Sequence, residues 1–456
     1  MRLTLITFFL AICFQYAFSS ELKLESHSFI KTIDYSVTLY NLKQKQLIVS
    51  KNINDSFIPA SLTKLIITAA IIDKVNLKHR FKTPVYIDKH SPPNLYIQGV
   101  GDPNISRRQL ANLASKVKKR GYNTFNSVVF DESLISTDVN AYTTSARYYY
   151  ALSGSLNTNY NQFKLEFNDF KKELTPTPNL NYIDLDFARA NLNQKKKKPS
   201  HPFISLAKRK HSDKYFFSGE ISKGDELNNN LKLRVSRPTS FFYSQLNDVF
   251  DQNKVTILNS YEKTGFVKKG KKKVFTFISE PISESLIKLN QQSENMLGNL
   301  LFKYLGLLLY NAPGDEKKGR KAVDMFMHSR FSIPKFIEIR DGSGLSKYSK
   351  VTSKFINDVL IYFYKKQFKF SKRFLLDLSK SEDYKSLKIP KHLSIYAKSG
   401  TLAQNGVNNL AGFIQNNATK DVYSFAILTK TKDKKFNPVY KGTHTIPLLN
   451  ELIKTL

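Results

Sequence analysis

Apolar and polar positions alternate in two short runs near the start of the chain, Tyr35-Ser-Val-Thr-Leu-Tyr40 and Gln46-Leu-Ile-Val-Ser50, with the polar stretch Asn41 to Lys45 between them. Period-two alternation broken by a polar turn predicts a β-hairpin. From Leu62 the period changes. Leu62, Leu65, Ile66, Ala69, Ala70 and Ile72 recur mostly at steps of three and four, which is one helical face, and Pro59 suits a first-turn position. Between about Phe81 and Pro281 the pattern is short and strand-like, with runs at Pro93 to Gly99, Ser127 to Phe130, Leu231 to Val235 and Lys273 to Ile278. Gly101-Asp102-Pro103 and Ser153-Gly154-Ser155 punctuate that region. Helical spacing returns at Ser283 and is strongest over Met296 to Leu309. Strands are predicted at Leu410 to Ile414 and Val422 to Leu428, and a final helix from about Ile446 to Leu456. No internal repeat is evident. The pattern predicts an α+β unit formed by residues 21–80 and 283–456, interrupted by a β-rich insertion over 81–282 that divides into one or two nested subdomains.

Composition adds an address. Arg2, the apolar run Leu3 to Phe14 and the small residues of Ala17-Phe18-Ser19 read as a signal peptide over residues 1–20, so the chain is expected to be exported to the periplasm or cell envelope. The run is too short for a comfortable membrane span, which leaves an uncleaved anchor as the lesser alternative, and no second long apolar run follows. The single cysteine, Cys13, lies inside the leader, and Ile12 before it is not the small residue that a lipidated cysteine usually needs. The mature chain is therefore expected to lack disulfides. At 456 residues, 41% hydrophobic, it can be stabilised by its core alone. A net charge of +34 favours polyanionic partners. Nucleic acid fits an exported protein poorly, whereas an anionic wall polymer or membrane surface suits the address. The clusters Lys195 to Lys198, Lys208 to Lys210 and Lys268 to Lys273 lie beside Gly, Pro or Ser and read first as solvated loop charge.

Candidate chemistry enters at Ser61 and Lys64, which fall about one helical turn apart on one face. A serine hydroxyl is a weak nucleophile until a nearby base takes its proton, and lysine is a base only when neutral. Burial or a second cation can depress its pKa, so the pair calls for a charged neighbour. The spacing alone carries little weight: Ser115/Lys118, Ser205/Lys208 and Ser285/Lys288 share it. What distinguishes Ser61 is the hairpin before it, the amphipathic helix after it and two partners downstream. Lys398-Ser399-Gly400-Thr401, on an expected edge strand Leu393 to Leu402, would supply a cation to lower the pKa of Lys64 and hold a substrate carboxylate. Gly400 would admit a close peptide backbone, and the Thr401 amide would join that of Ser61 as an oxyanion hole. Ser293 and Asn295, at the start of another helix, would supply a proton shuttle and an amide for substrate. As bland alternatives, Ser293 is a helix cap and Lys398-Ser-Gly a plain turn. A literal decoy set, Ser155-Leu-Asn157 and Lys263-Thr-Gly265, lies in the insertion without a following apolar helix.

With Ser61, Ser293 and Lys398 in this order, the chain resembles the penicillin-recognising serine enzymes. Within them it is most similar to the peptidase S13 family of D-alanyl-D-alanine carboxypeptidase/endopeptidases, the low-molecular-mass class C penicillin-binding proteins of the type 4 kind. The long interval from Ser61 to Ser293 carries that choice, since class A β-lactamases have a much shorter one. Leu95 to Pro103 ending in Gly-Asp-Pro, Val129 to Ser133, Asp341-Gly-Ser-Gly-Leu-Ser346 and Asn409-Leu-Ala-Gly-Phe413 also look like family segments. The resemblance runs from about Tyr35 to Leu456.

The resemblance implies a penicillin-binding transpeptidase-like domain, an antiparallel five-stranded sheet packed by helices, with two smaller domains nested after the nucleophile helix. It implies a serine hydrolase of peptidoglycan in which Ser61 attacks the penultimate D-alanine carbonyl and water resolves the acyl-enzyme. Peptidoglycan stem peptides are the implied substrate, β-lactams the implied covalent inhibitors, and no metal or cofactor is implied. Glu294 and Ser399 stand where the family usually has Asp and Thr. Lys347 stands where an Arg commonly binds the free end of a diaminopimelate side chain, keeping charge but losing the bidentate fork. No Asp occurs between Asp138 and Asp169 to meet the side-chain amine. Two other functions remain open at this level: a β-lactamase-like serine enzyme, and a catalytically silent basic protein that binds the cell wall.

Overall fold

The computed structural model describes residues 28–137, 144–168, 170–263, 270–432 and 442–456. The expected signal peptide lies outside the described residues, as do Thr264 and Gly265 of the decoy set. The predicted hairpin is present as strands Ile33–Asn41 and Gln46–Lys51. Its first strand also pairs, antiparallel, with Val422–Thr431 near the end of the chain. The sheet order is Leu376–Asp377, Leu393–Leu402, Val407–Asn416, Val422–Thr431, Ile33–Asn41, Gln46–Lys51, and every neighbouring pair is antiparallel. The expected five strands are all there, and the two-residue strand Leu376–Asp377 makes a sixth. It covers only Tyr396 and Ala397 of its neighbour, so Leu393–Leu402 is an edge strand from Lys398 onward among the described residues.

Period-two alternation explains how one sheet serves two cores. Ala411, Phe413, Ala426 and Leu428 face a helical layer. Leu410, Ile414, Phe425 and Ile427 face the opposite side, where the closing helix Thr445–Ile453 packs through Leu448, Leu449 and Leu452. The helical layer comprises Thr63–Lys74, Ile282–Gln291, Asn295–Tyr310, Glu316–Arg330 and Ser353–Phe374. Helix Thr63–Lys74 sits in its middle, with every residue from Thr63 to Ile71 buried. That accounts for its content: a helix surrounded on all sides is apolar on all sides. Burying each of Leu65, Ile66, Ile67 and Ile71 contributes about 1.5–3 kcal/mol, which fixes the platform on which Ser61 is presented.

Each strand-like run expected in the insertion forms a strand. The insertion is nevertheless less purely β than the pattern predicts. One core lies under a five-stranded sheet of order Tyr261–Lys263, Val128–Asp131, Leu95–Gln98, Lys82–Ile87, Lys272–Ile278. Helices Arg107–Lys118 and Pro238–Gln252 complete it with Leu110, Leu113, Val117, Phe242, Leu246 and Phe250. The first helix carries a readable signal, a Ser106/Gln109 capping box followed by apolar residues at helical spacing. The second core lies between two three-stranded sheets built from Gln162–Asn168, Glu173–Thr177 and Lys232–Arg234, and from Ile183–Asn193, Phe203–Lys208 and Asp213–Ser222. Phe241 of helix Pro238–Gln252 reaches into this second core, so one helix joins both.

Buried polar contacts help to tie the insertion to the helical layer. Lys303, fully buried on helix Asn295–Tyr310, donates to the carbonyls of Ser136 at 2.6 Å and Ser153 at 2.8 Å. Buried Glu294 accepts from Gln162 Nε2 at 2.7 Å and pairs with Lys232 Nζ at 3.5 Å.

Candidate active site

Ser61 stands in the middle of a single 3-10 turn, Ala60–Leu62, which runs directly into helix Thr63–Lys74. The turn is gripped by backbone. Ala60 has φ +48°, and Gly344, itself at φ +83°, lies so close that a Cβ there would sit 2.0 Å from the Ala60 carbonyl oxygen. On the other flank a Cβ on Gly400 would meet the Pro59 oxygen at 2.7 Å and the Leu62 nitrogen at 3.1 Å. Close approach therefore requires glycine at both positions, and at Gly344 the left-handed backbone requires it as well. Asn409, buried on strand Val407–Asn416, donates its amide to the carbonyls of Ile58 at 2.9 Å and Pro59 at 3.1 Å, and its Oδ1 accepts from the Thr429 amide at 3.0 Å. It fastens the serine turn to the sheet.

Lys64, one turn beyond Ser61, is fully buried. Its Nζ lies 3.0 Å from Ser61 Oγ, donates to Asn295 Oδ1 at 2.7 Å, and makes a very short contact with the Ser343 carbonyl. Burial drives its pKa down from 10.5 to about 7, while the carboxylates of Asp341 and Glu294 act in the opposite direction. This corrects the expected cause. Removal from water, rather than a neighbouring cation, is what chiefly makes this amine a base near neutral pH. Asp341 has a second function: it caps the Ser343–Leu345 turn, accepting from the Gly344 amide at 3.2 Å, the Leu345 amide at 3.0 Å and the Ser343 hydroxyl.

Lys398 is buried on the edge strand, and its Nζ donates to Ser293 Oγ at 3.0 Å and to the Ser399 carbonyl at 2.7 Å. Ser293 is not the helix cap of the bland alternative. It has φ +55°, Glu294 is the N-cap residue without a side-chain capping bond, and helix Asn295–Tyr310 follows. The strain and the Lys398 contact turn the Ser293 hydroxyl toward the cluster rather than toward its own helix. Asn295 spans two elements, accepting from Lys64 and donating Nδ2 to the Tyr149 carbonyl at 3.0 Å. Ser399 and Thr401 are half-buried at the open strand edge. Lys347 stands apart from this network, exposed, with its ammonium 5.3 Å from the Tyr348 ring centre.

The structure therefore brings Ser61, Lys64, Ser293, Asn295, Lys398 and Gly400 together around one turn, and leaves Lys347 outside their hydrogen bonds. The decoys separate cleanly. Ser155 Oγ accepts from the Ile135 amide at 2.8 Å and donates to backbone oxygens of Glu132 and Ile135, while Asn157 bonds to Asp102 and Gly154. These are structural ties in the insertion. Lys118 turns to the Asn253 carbonyl and Lys288 to the Tyr160 hydroxyl, not to the serines three residues before them. Sequence reasoning assigned no task to Asp341, Asn409, or the carbonyls of Ser343 and Tyr149. A carbonyl carries no side-chain signal, and the two side chains act through turns that only folding brings near Ser61.

A buried lysine of lowered pKa beside a serine at the head of a sheet-bordered helix, with a Ser-x-Asn turn and a second lysine on the edge strand, is the arrangement of the penicillin-recognising serine enzymes. The particular branch is given by comparison: the chain belongs to the D-Ala-D-Ala carboxypeptidase 3 (S13) family, whose model matches residues 29–440. It is 22% identical over 406 residues to D-alanyl-D-alanine carboxypeptidase DacB of Haemophilus influenzae, covering 82% of this chain and 81% of that one. The fold superposes on the crystal structure of penicillin binding protein 4 from the same organism with a TM-score of 0.71, at 19% identity over 93% of this chain and 96% of the other. The Bd3459 predatory peptidoglycan endopeptidase of Bdellovibrio bacteriovorus matches at a TM-score of 0.52 and 16% identity, over 93% and 92% of the two chains.

Proposed function

We propose that Ser61 is the acylation site of a serine DD-peptidase that cleaves D-Ala-D-Ala termini of peptidoglycan stem peptides, and peptide crosslinks by the same route. The observation that carries this reading is the Ser61–Lys64 pair: a hydroxyl 3.0 Å from an amine whose pKa burial has lowered to about 7. Neutral Lys64 takes the Ser61 proton as Oγ bonds to the penultimate D-alanine carbonyl carbon. The amides of Ser61 and Thr401 receive the oxyanion. The C–N bond breaks as the Ser293 hydroxyl, held by Lys398, passes its proton to the departing amine and takes up in exchange the one that Lys64 carries, which leaves Lys64 neutral again. Water then attacks the ester, and D-alanine or the crosslinking amine and the shortened stem are the products. The edge from Lys398 to Leu402, which borders no further strand among the described residues, suits a substrate laid alongside as an added strand, with Lys398, Ser399 and Thr401 at its carboxylate and Gly400 letting that strand lie close against the serine turn. Lys347 is assigned to the substrate side chain. A β-lactam presents a strained acyl group to the same serine and leaves a stable ester.

Export through the leader 1–20, and the division into a catalytic unit of 21–80 with 283–456 and an insertion of 81–282, belong to this reading. So does contact with an anionic wall polymer or membrane surface through the exposed lysines 195–198 and 208–210. No helix among the described residues is long and apolar enough to cross a membrane. The test is mass spectrometry of products from purified muropeptides, run beside fluorescent penicillin labelling. Release of D-alanine together with a penicillin adduct that Ser61→Ala abolishes is expected. Rapid turnover of the adduct would instead indicate a β-lactamase, and binding to sacculi with neither product nor adduct a silent wall-binding protein.

A further inference from the structure

A cleft of about 410 Å³ opens where the two cores of the insertion meet, and none of its lining residues belongs to the Ser61 site. Its floor is aromatic. Tyr243 on helix Pro238–Gln252 and Tyr261 on the adjoining strand place their rings 5.0 Å apart at 44°. Tyr261 is anchored from behind, its ring 5.4 Å from that of Phe130 and its hydroxyl 2.7 Å from Ser240 Oγ. The opposite wall is the loop between strands Phe203–Lys208 and Asp213–Ser222. Arg237 clamps it by donating to the carbonyls of Arg209, Lys210 and Ser212. Below that loop, buried Asp213 accepts from the Tyr182 hydroxyl at 2.8 Å and from the Ser236 amide at 2.6 Å. The cleft is thus preformed, and its volume falls in the range of roughly 300–1,000 Å³ usual for small-molecule sites, which favour such junctions.

We propose that this cleft binds the glycan strand of peptidoglycan, an oligosaccharide of N-acetylated amino sugars, and so holds the polymer while the serine centre works on its peptides. The lining chooses the chemistry. Tyrosine faces offer large apolar contact with a polar tip at the edge, which suits the C–H face of a pyranose ring. Around them stand amides, hydroxyls and charges that donate and accept: Asn181, Ser244, Asn247 and Asp251, with Asn247 Nδ2 already held by Asp251 Oδ2 at 2.9 Å. Leu180 is the one aliphatic residue of the lining among the described residues, which offers a peptide little apolar surface for its side chains. Of the lining charges, Asp248 is paired with Arg107 and Asp251 offsets Lys210, so a polyphosphate finds no excess of cations. Choosing peptidoglycan as the source of the sugar rests on the peptidase reading above.

The test uses the full chain and a fluorescent, peptide-free glycan strand of alternating N-acetylglucosamine and N-acetylmuramic acid. Saturable binding is expected, weakened about tenfold or more by Tyr243→Ala and within roughly threefold of the parent for Tyr243→Phe, which keeps the ring face. Asn247→Ala, a smaller change on the same wall, is expected to weaken it as well. Penicillin labelling of all three variants is expected to match the parent, which separates lost glycan binding from misfolding. Absence of saturable binding, or equal binding by the parent, Tyr243→Ala and Asn247→Ala, overturns the proposal. Glycan binding by a chain that takes up no penicillin would overturn the peptidase reading and leave this one standing.

Discussion

Lys64 Nζ lies 2.7 Å from Asn295 Oδ1, two residues 231 positions apart, and the same Asn295 donates to the Tyr149 carbonyl of the insertion. One amide thus links Lys64, the proposed base, to the insertion at Tyr149. The state of Lys64 is set by what surrounds it, and each neighbour makes a different prediction.

Acylation requires neutral Lys64, whose pKa is about 7. The rate of penicillin labelling is therefore expected to climb about tenfold per pH unit below 7, reach half its maximum near 7 and level off above about pH 8. Lys64→Gln is expected to lower the plateau by about a thousandfold or more and to remove this limb. Stopped-flow or gel labelling across pH checks both, and a flat profile in the parent chain would refute the assignment of Lys64 as base.

Glu294 holds Lys64 in its charged form, so taking away that negative charge makes the ammonium less stable and lowers its pKa further. Glu294→Gln is expected to move the acid limb of the labelling profile to lower pH. The same change removes the ion pair with half-buried Lys232, so the melting temperature is expected to drop, since that ammonium loses its buried partner. An acid limb that moves upward would contradict the sign of this coupling.

At Gly344, alanine would place a Cβ 2.0 Å from the Ala60 oxygen in a backbone at φ +83°. Gly344→Ala is expected to destabilise the chain by about 2–4 kcal/mol and to reduce labelling more than a hundredfold by displacing Ser61. Gly121→Ala serves as the comparison. It has a similar φ of +86° with nothing within 4 Å of the added Cβ, so it should show only the smaller conformational cost and full labelling.

Asn409→Ala removes two donated bonds to the turn before Ser61 and one accepted from Thr429. The Pro59 carbonyl keeps the Leu62 amide, but the Ile58 carbonyl and the Thr429 amide lose this partner, so about 1–3 kcal/mol of stability is expected to go, and labelling with it. Denaturant unfolding and labelling at a temperature where the variant is folded separate the two effects.

Ser155→Ala tests the decoy. Its hydroxyl serves the backbone of Glu132 and Ile135, so the variant is expected to lose about 1–3 kcal/mol of stability while retaining labelling under folding conditions. Loss of labelling in a folded Ser155→Ala chain would reopen the choice of nucleophile.

Much of this was legible along the chain because the signals are local. The period change at Leu62 marks the nucleophile helix, alternation marks the hairpin and the two long strands after Lys398, and the order of Ser61, Ser293 and Lys398 marks the chemistry. Residue types and their spacing determine which chemistry is available. The tertiary structure decided the rest for physical reasons. Nothing in Lys64 itself says that it is a base: its pKa follows from complete burial, which is a property of the packed helical layer. Two Ser-x-Asn sequences compete on paper. One is consumed by backbone partners in the insertion, while the other is strained at Ser293 and bound to Lys398 because the sheet brings residue 398 beside it. The helix Arg107–Lys118 was readable from its cap and spacing, whereas the join that helix Pro238–Gln252 makes between two cores, and the tyrosine-floored cleft at that join, exist only once both cores are assembled.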